Sequence, residues 1–119
     1  MNTRCLALVI CLGPALASLS ARAAEPTDGL GPTVYRRWCV PCHGAGPDKP
    51  GTGALQEKYH GTLPAQLEQR TDLSIAFIKQ IVRHGVSVMP PFRKTEISDF
   101  ELSALAAYLS HHNESTGAH

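Results

Sequence analysis

The sequence predicts an all-α fold, and three observations predict it. Two segments in the C-terminal half carry apolar residues at helical spacing, bounded by start and stop signals. The stretches between them are rich in glycine and proline. No run alternates apolar and polar residues as a half-buried strand does. Three main helices are expected, wrapped around something large.

The first 23 residues stand apart from that fold. Met1 to Arg4 is short and basic, Cys5 to about Leu19 is apolar, and Ala21-Arg22-Ala23 is a small-x-small cleavage site. This is the layout of a secretory signal peptide, cut after Ala23. The apolar run is broken by Gly13-Pro14 and falls short of the roughly 20 residues a spanning helix needs. No later stretch reaches that length, so no membrane span is expected after cleavage, and the location expected is periplasmic. Residues 24–31 read as a polar N-terminal arm, residues 32–112 as one domain and residues 113–119 as a frayed tail.

Within the domain, Pro32 suits a first helical position, and a short helix is expected from Pro32 to Cys39. Gly44 to Gly53 holds four glycines and two prolines and reads as a loop. Ala54 to Tyr59 is a turn of helix, broken by Gly61 to Pro64. Ser74 to His84 carries Ile75, Ile78, Ile81 and Val82 on one helical face, with Gly85 as C-cap. Val86 to Lys94 is a loop stiffened by Pro90-Pro91. Ser98-Asp99-Phe100-Glu101 is a capping box, opening a helix with Leu102, Leu105, Ala106 and Leu109 at i, i+3, i+4 and i+7.

Charge excludes one class of partner. Removing Arg4 and Arg22 from the eleven Lys/Arg leaves nine, against ten Asp/Glu. A near-neutral domain has no electrostatic footprint for nucleic acid. Cleavage also removes Cys5 and Cys11 from the four cysteines, leaving Cys39 and Cys42 and no disulfide framework. A core this small is marginal without a metal or cofactor.

Cys39-Val40-Pro41-Cys42-His43 supplies one. Two cysteines spaced by two residues and followed by histidine read as a c-type haem attachment site. The thiols add across the two vinyl groups on one porphyrin edge, and the imidazole then reaches the iron. One motif means one covalent haem c. A thioredoxin-like dithiol should follow a strand, and none is visible. A structural zinc wants four ligands, and the remaining histidines lack a paired spacing except His111-His112, which are adjacent and diverge.

His43 fills one axial position. Met89 is the expected second, in a loop restricted by Pro90 and Pro91. Its thioether is soft and neutral, favouring ferrous iron. Apart from Met1 it is the sole methionine, with His60 and His84 as alternatives. Leu55, Ile78, Val82 and Phe92, with Val86, Val88 and Leu102, are the expected apolar wall. The carbonyl of Pro50 is the expected acceptor for the second nitrogen of His43.

On these residues the chain resembles a class I cytochrome c over nearly all of the domain. Gly31 and Tyr35 precede Cys39 by eight and four residues, where that family places a small residue and an aromatic. Leu105 and Tyr108 match the leucine and aromatic of its C-terminal helix. The resemblance implies that these two helices cross almost at right angles, with the small residue allowing close approach. The short Gly44–Tyr59 loop and Trp38 beside Cys39 depart from the pattern.

A narrower set is similar to the cytochrome subunit of flavocytochrome 4-alkylphenol hydroxylases, of the p-cresol methylhydroxylase and eugenol hydroxylase type. It comprises Trp38-Cys39-x-x-Cys42-His43-Gly44, Glu68 to Leu73 and Pro91 to Ser98. That resemblance implies an FAD-containing dehydrogenase or hydroxylase subunit as electron donor, and a downstream electron acceptor. The expectation is a mono-haem electron carrier that is not itself an enzyme, though it could complete one as a subunit. The alternatives are a free soluble shuttle between dehydrogenases and a terminal oxidase, a haem protein in which Met89 leaves the iron, and a dithiol redox protein.

Overall fold

The structure, a computed structural model, describes residues 29–110. The expected signal peptide and C-terminal tail lie outside these residues. Helices supply the regular structure of the described residues, apart from one antiparallel bridge between Val86 and Met89.

The first helix is longer than its sequence suggests. α1 (Leu30–Val34) runs through a π turn (Tyr35–Cys39) into α2 (Val40–His43). Leu30 and Gly31, expected in the N-terminal arm, are therefore helical. The Thr33 amide and hydroxyl both donate to the Gly29 carbonyl, at 3.3 and 2.7 Å, closing a turn ahead of Pro32. Pro32 costs nothing there, because first-turn amides have no helical acceptor. At the other end the expected stop at Cys39 is overrun. The Val40 amide donates to the Tyr35 carbonyl, one residue further back than in an α-helix. This wide turn falls just before Pro41, which has no amide to give and would crowd the carbonyl four residues back in a regular helix.

The expected loop over Gly44–Gly53 is corrected in its second half. α3 spans Pro50–Tyr59, so Pro50, Gly51, Thr52 and Gly53 form its first turn rather than a loop. Proline at the first position and extended Lys49 before it are a favourable helix start. The glycines weaken the helix, but contact with α2 outweighs that, as shown below. His60 ends α3 in the left-handed conformation (φ 45°), and its amide donates to the Gln56 carbonyl at 3.0 Å. A short 3-10 turn follows at Leu67–Gln69. α3 thus adds a helix to the three expected.

α4 (Ile75–His84) and α5 (Asp99–Ser110) match their sequence signals. Ser74 Oγ accepts from the Phe77 amide at 3.2 Å, and Gly85 (φ 72°) caps the other end of α4, donating to the Ile81 carbonyl. The capping box of α5 is formed in both directions. The Glu101 amide donates to Ser98 Oγ at 3.2 Å, and the Ser98 amide donates to the Glu101 carboxylate at 2.8 Å.

The core forms where α1 crosses α5 and α4 packs beside it, around Val34, Tyr35, Leu73, Ile78, Val82, Ile97, Leu102, Leu105, Ala106 and Leu109. Gly31 is the crossing point. A Cβ there would lie 2.5 Å from the Ala104 carbonyl oxygen and 2.6 Å from Tyr108 Cβ. Tyr35 and Tyr108 meet beside it with ring centroids 5.9 Å apart. The contact implied by the sequence resemblance is therefore present, and Ala104 joins it.

Candidate functional site

Cys39, Cys42 and His43 are spaced i, i+3 and i+4 and lie in one continuous helix, so their side chains share a face. Both thiols are free; Cys39 is half-buried and Cys42 exposed. Burial, and then the neighbouring Cys42, push the Cys39 thiol up to about 12. A dithiol redox centre needs the opposite, a lowered pKa that supplies thiolate. Among the described residues no three His, Cys, Asp or Glu cluster to hold a bare metal ion.

His43 ends α2. Tyr35 OH donates to its carbonyl at 3.1 Å, and Thr52 Oγ1 donates to the Gly44 carbonyl at 2.8 Å, tying the motif to the core and to α3. Burial lowers the imidazole pKa, which favours the neutral form that binds metals. Its Nδ1 is buried with no hydrogen-bond partner. The Pro50 carbonyl expected there does not accept from it; Pro50 opens a helix, where carbonyls point along the axis towards the next turn. Gly51 instead lies against the ring. A Cβ on Gly51 would come within 2.6 Å of His43 Cε1, 2.8 Å of Nδ1 and 2.9 Å of the Cys42 carbonyl oxygen. Nothing in the sequence singled out Gly51, because glycine in a Gly/Pro-rich stretch reads as loop.

Met89 is half-buried and packs against the core cluster. Its backbone is held in a closed turn. The Val86 amide donates to the Met89 carbonyl at 3.1 Å, and the Met89 amide donates to the Val86 carbonyl at 2.9 Å. Ser87 takes a positive φ of 52° at the bend, and Gly85 leaves room for the Met89 carbonyl, which a Cβ would approach to 2.5 Å. Phe92 then returns to α4, its amide donating to the Val82 carbonyl at 2.8 Å.

Trp38, next to Cys39, meets Phe92, three residues past Met89, edge to face at 5.8 Å and 76°. This contact joins the cysteine helix to the methionine loop. Ile78 and Val82 are buried on α4 within the core, and Leu102 is buried on α5. Leu55 is half-buried on α3, apart from the main cluster. Val86 and Val88 lie in the same turn and are 51% and 90% exposed. His60 and His84 are exposed, and His84 Nδ1 donates to the Gln80 carbonyl of its own helix at 3.0 Å.

Two arginines to which sequence reasoning gave no role of their own make well-defined contacts. Arg70, 4% exposed, pairs with Asp72 and lies over the Tyr59 ring at 4.7 Å. Arg83 donates to the Phe92 carbonyl at the end of the methionine loop and to the Ile97 carbonyl beyond it. The Asp72 carboxyl is held below its ordinary value by those Arg70 bonds.

The donor set fits a haem rather than a bare ion: two free thiols on one helical face, a neutral imidazole with one nitrogen held in the interior, and a half-buried thioether on a braced turn. The sequence model of the family described as cytochrome c oxidase, cbb3-type, subunit III matches residues 27–109. The chain belongs to that family. It is a class I c-type cytochrome, a haem-based electron carrier rather than an enzyme. No curated protein and no solved structure matches it. Among the described residues of this cytochrome, no helix is long and apolar enough to cross a membrane. Haem c, when bound, supplies an iron that accepts and releases single electrons.

Proposed function

We propose that this cytochrome is an exported carrier with one haem, held through Cys39 and Cys42 and ligated by His43 and Met89. It takes single electrons from an FAD-containing dehydrogenase or hydroxylase acting on 4-alkylphenols and passes them to a downstream acceptor in the periplasm. The observation that carries the ligation is the Trp38–Phe92 contact, which fastens the Cys39–His43 helix to the braced turn bearing Met89. With His43 and Met89 both holding the iron, it would have no open position, which suits electron transfer rather than substrate chemistry. The near-neutral charge supports a dedicated partner, since a free shuttle gains from a strongly charged docking face. The flavoprotein assignment rests on the residues of Trp38–Gly44, Glu68–Leu73 and Pro91–Ser98.

A second reading is favoured by the family description: delivery of electrons to a cbb3-type terminal oxidase. Stopped-flow reduction separates the two. Reduction by a purified 4-alkylphenol-oxidising flavoprotein faster than by an unrelated dehydrogenase supports the first. Oxidation by the oxidase without any such donor preference supports the second.

The ligation is tested by the oxidised spectrum and by Met89→Ala. The wild type should show the weak sulfur-to-iron band at the red edge of the visible spectrum. Met89→Ala should keep the covalent haem, lose the band and fall in potential by roughly 100 mV or more, within the span that axial ligands command. An unchanged potential would assign the sixth position to another residue.

A further inference from the structure

We infer that Arg83 is a positioning residue that keeps the Met89 loop closed, and so sets how readily an outside ligand displaces the methionine. The inference rests on the proposed ligation by Met89.

The loop leaves and rejoins the same helix end. Gly85 departs from the last turn of α4, and Phe92 returns to it, so both feet of the Gly85–Phe92 segment stand on α4. The departing foot is held by the Val86–Met89 backbone pair. The returning foot is held by two neighbouring residues of α4. Val82 accepts the Phe92 amide at 2.8 Å, and Arg83 Nη1 donates to the Phe92 carbonyl at 3.0 Å. The same guanidinium reaches further down the chain, Nη2 donating to the Ile97 carbonyl at 2.8 Å and to the Asp99 carboxylate at 2.9 Å. Arg83 therefore ties the last turn of α4, the segment after Met89 and the first turn of α5 together.

Its side chain is 17% exposed, so these charge-assisted bonds are partly shielded from water. Lys94 also pairs with Asp99, at 2.7 Å, but it touches no loop carbonyl in that pair. Carbonyl 92 depends on the planar fork of Arg83, which serves three acceptors at once. Lysine carries the charge without that geometry.

The consequence concerns the population of the open loop. An outside ligand such as imidazole competes for the iron only while Met89 is away, so its apparent affinity scales with the open fraction. Removing the Phe92 and Ile97 bonds leaves the returning foot on one backbone hydrogen bond and the Trp38–Phe92 ring contact, and raises that fraction.

The test is imidazole titration of the ferric holoprotein, followed by loss of the sulfur-to-iron band, with far-UV circular dichroism as a check on helicity. Arg83→Ala should bind imidazole roughly tenfold more tightly or better at unchanged helicity. Arg83→Lys should fall between, and Lys94→Gln should match the wild type. If Arg83→Ala yields no holoprotein, Arg83→Lys decides: tighter imidazole binding upholds the role, and wild-type affinity overturns it. A wild type with the band and an Arg83→Ala protein with wild-type affinity would overturn the role of Arg83 alone. A wild type lacking the band would overturn the Met89 assignment and this inference with it.

Discussion

Glycine 51 is a case in which contact reverses what intrinsic propensity favours. At an ordinary helical position, alanine is preferred to glycine by about 1 kcal/mol. Here a Cβ would lie within 2.6 Å of the His43 ring and 2.9 Å of the Cys42 carbonyl oxygen. The carbonyl belongs to the helix that carries the motif and yields little. Overpacking of this kind costs about 1–3 kcal/mol, enough to exceed the propensity gain. Gly51→Ala should therefore lower the urea midpoint of the holoprotein, whereas a plain helical site would raise it. Gly53 in the same helix has nothing within 4 Å of a built Cβ and is the matched control. His43 shows the converse limit of residue-level reasoning. Its role as a ligand follows from its place after Cys42, but its neighbour at Nδ1 could not be read from order in the chain.

At the scale of elements, the decisive contact is α1 across α5. Both helices are signalled locally, α1 by Pro32 and α5 by the Ser98–Glu101 capping box, yet neither signal says where they cross. Gly31 sets the separation, because the Ala104 carbonyl and Tyr108 Cβ occupy the space a side chain would need. Leu105 and Ala106 are fully buried on the facing helix, and a buried leucine contributes about 1.5–3 kcal/mol. Gly31→Val should force the helices apart, cost about 1–3 kcal/mol and lower the holoprotein melting temperature by roughly 4–8 °C per kcal/mol. Thermal denaturation followed by circular dichroism checks it; an unchanged melting temperature would mean the crossing has slack. The π turn at Tyr35–Cys39 belongs to this scale too, since it carries the helix past Pro41 and keeps the motif continuous with the crossing helix.

For the whole molecule, the core is shared between the protein and the group it holds. The buried cluster lies around α1, α4 and α5, while α3 contributes one buried residue, Thr52, and meets the motif helix through Gly51 and the Thr52–Gly44 hydrogen bond. A domain of this size buries too small a fraction of its surface to be secure on side chains alone. The Cys39→Ala/Cys42→Ala double variant, which cannot attach haem, should therefore show no cooperative thermal transition. A sharp melt without haem would show that the side-chain core suffices.

The sequence by itself determined the helical class, the positions of α4 and α5, their caps, and the Cys39–His43 motif. Each depends on residues within a few positions of one another, through helical spacing, capping hydrogen bonds or thioether geometry. The Gly31–Tyr35 and Leu105–Tyr108 pairing was legible only by resemblance, because nothing local forces those residues together. Tertiary structure alone decided that Pro50–Gly53 is helical, that Gly51 faces His43, and that Arg83 ties the returning foot of the methionine loop. In each of these the outcome is set by a partner distant in sequence or by the course of the backbone. Glycine that looks like a loop becomes helix where a ring must approach it, and an arginine that looks like solvated surface becomes a clamp where carbonyls from another segment arrive within 3 Å.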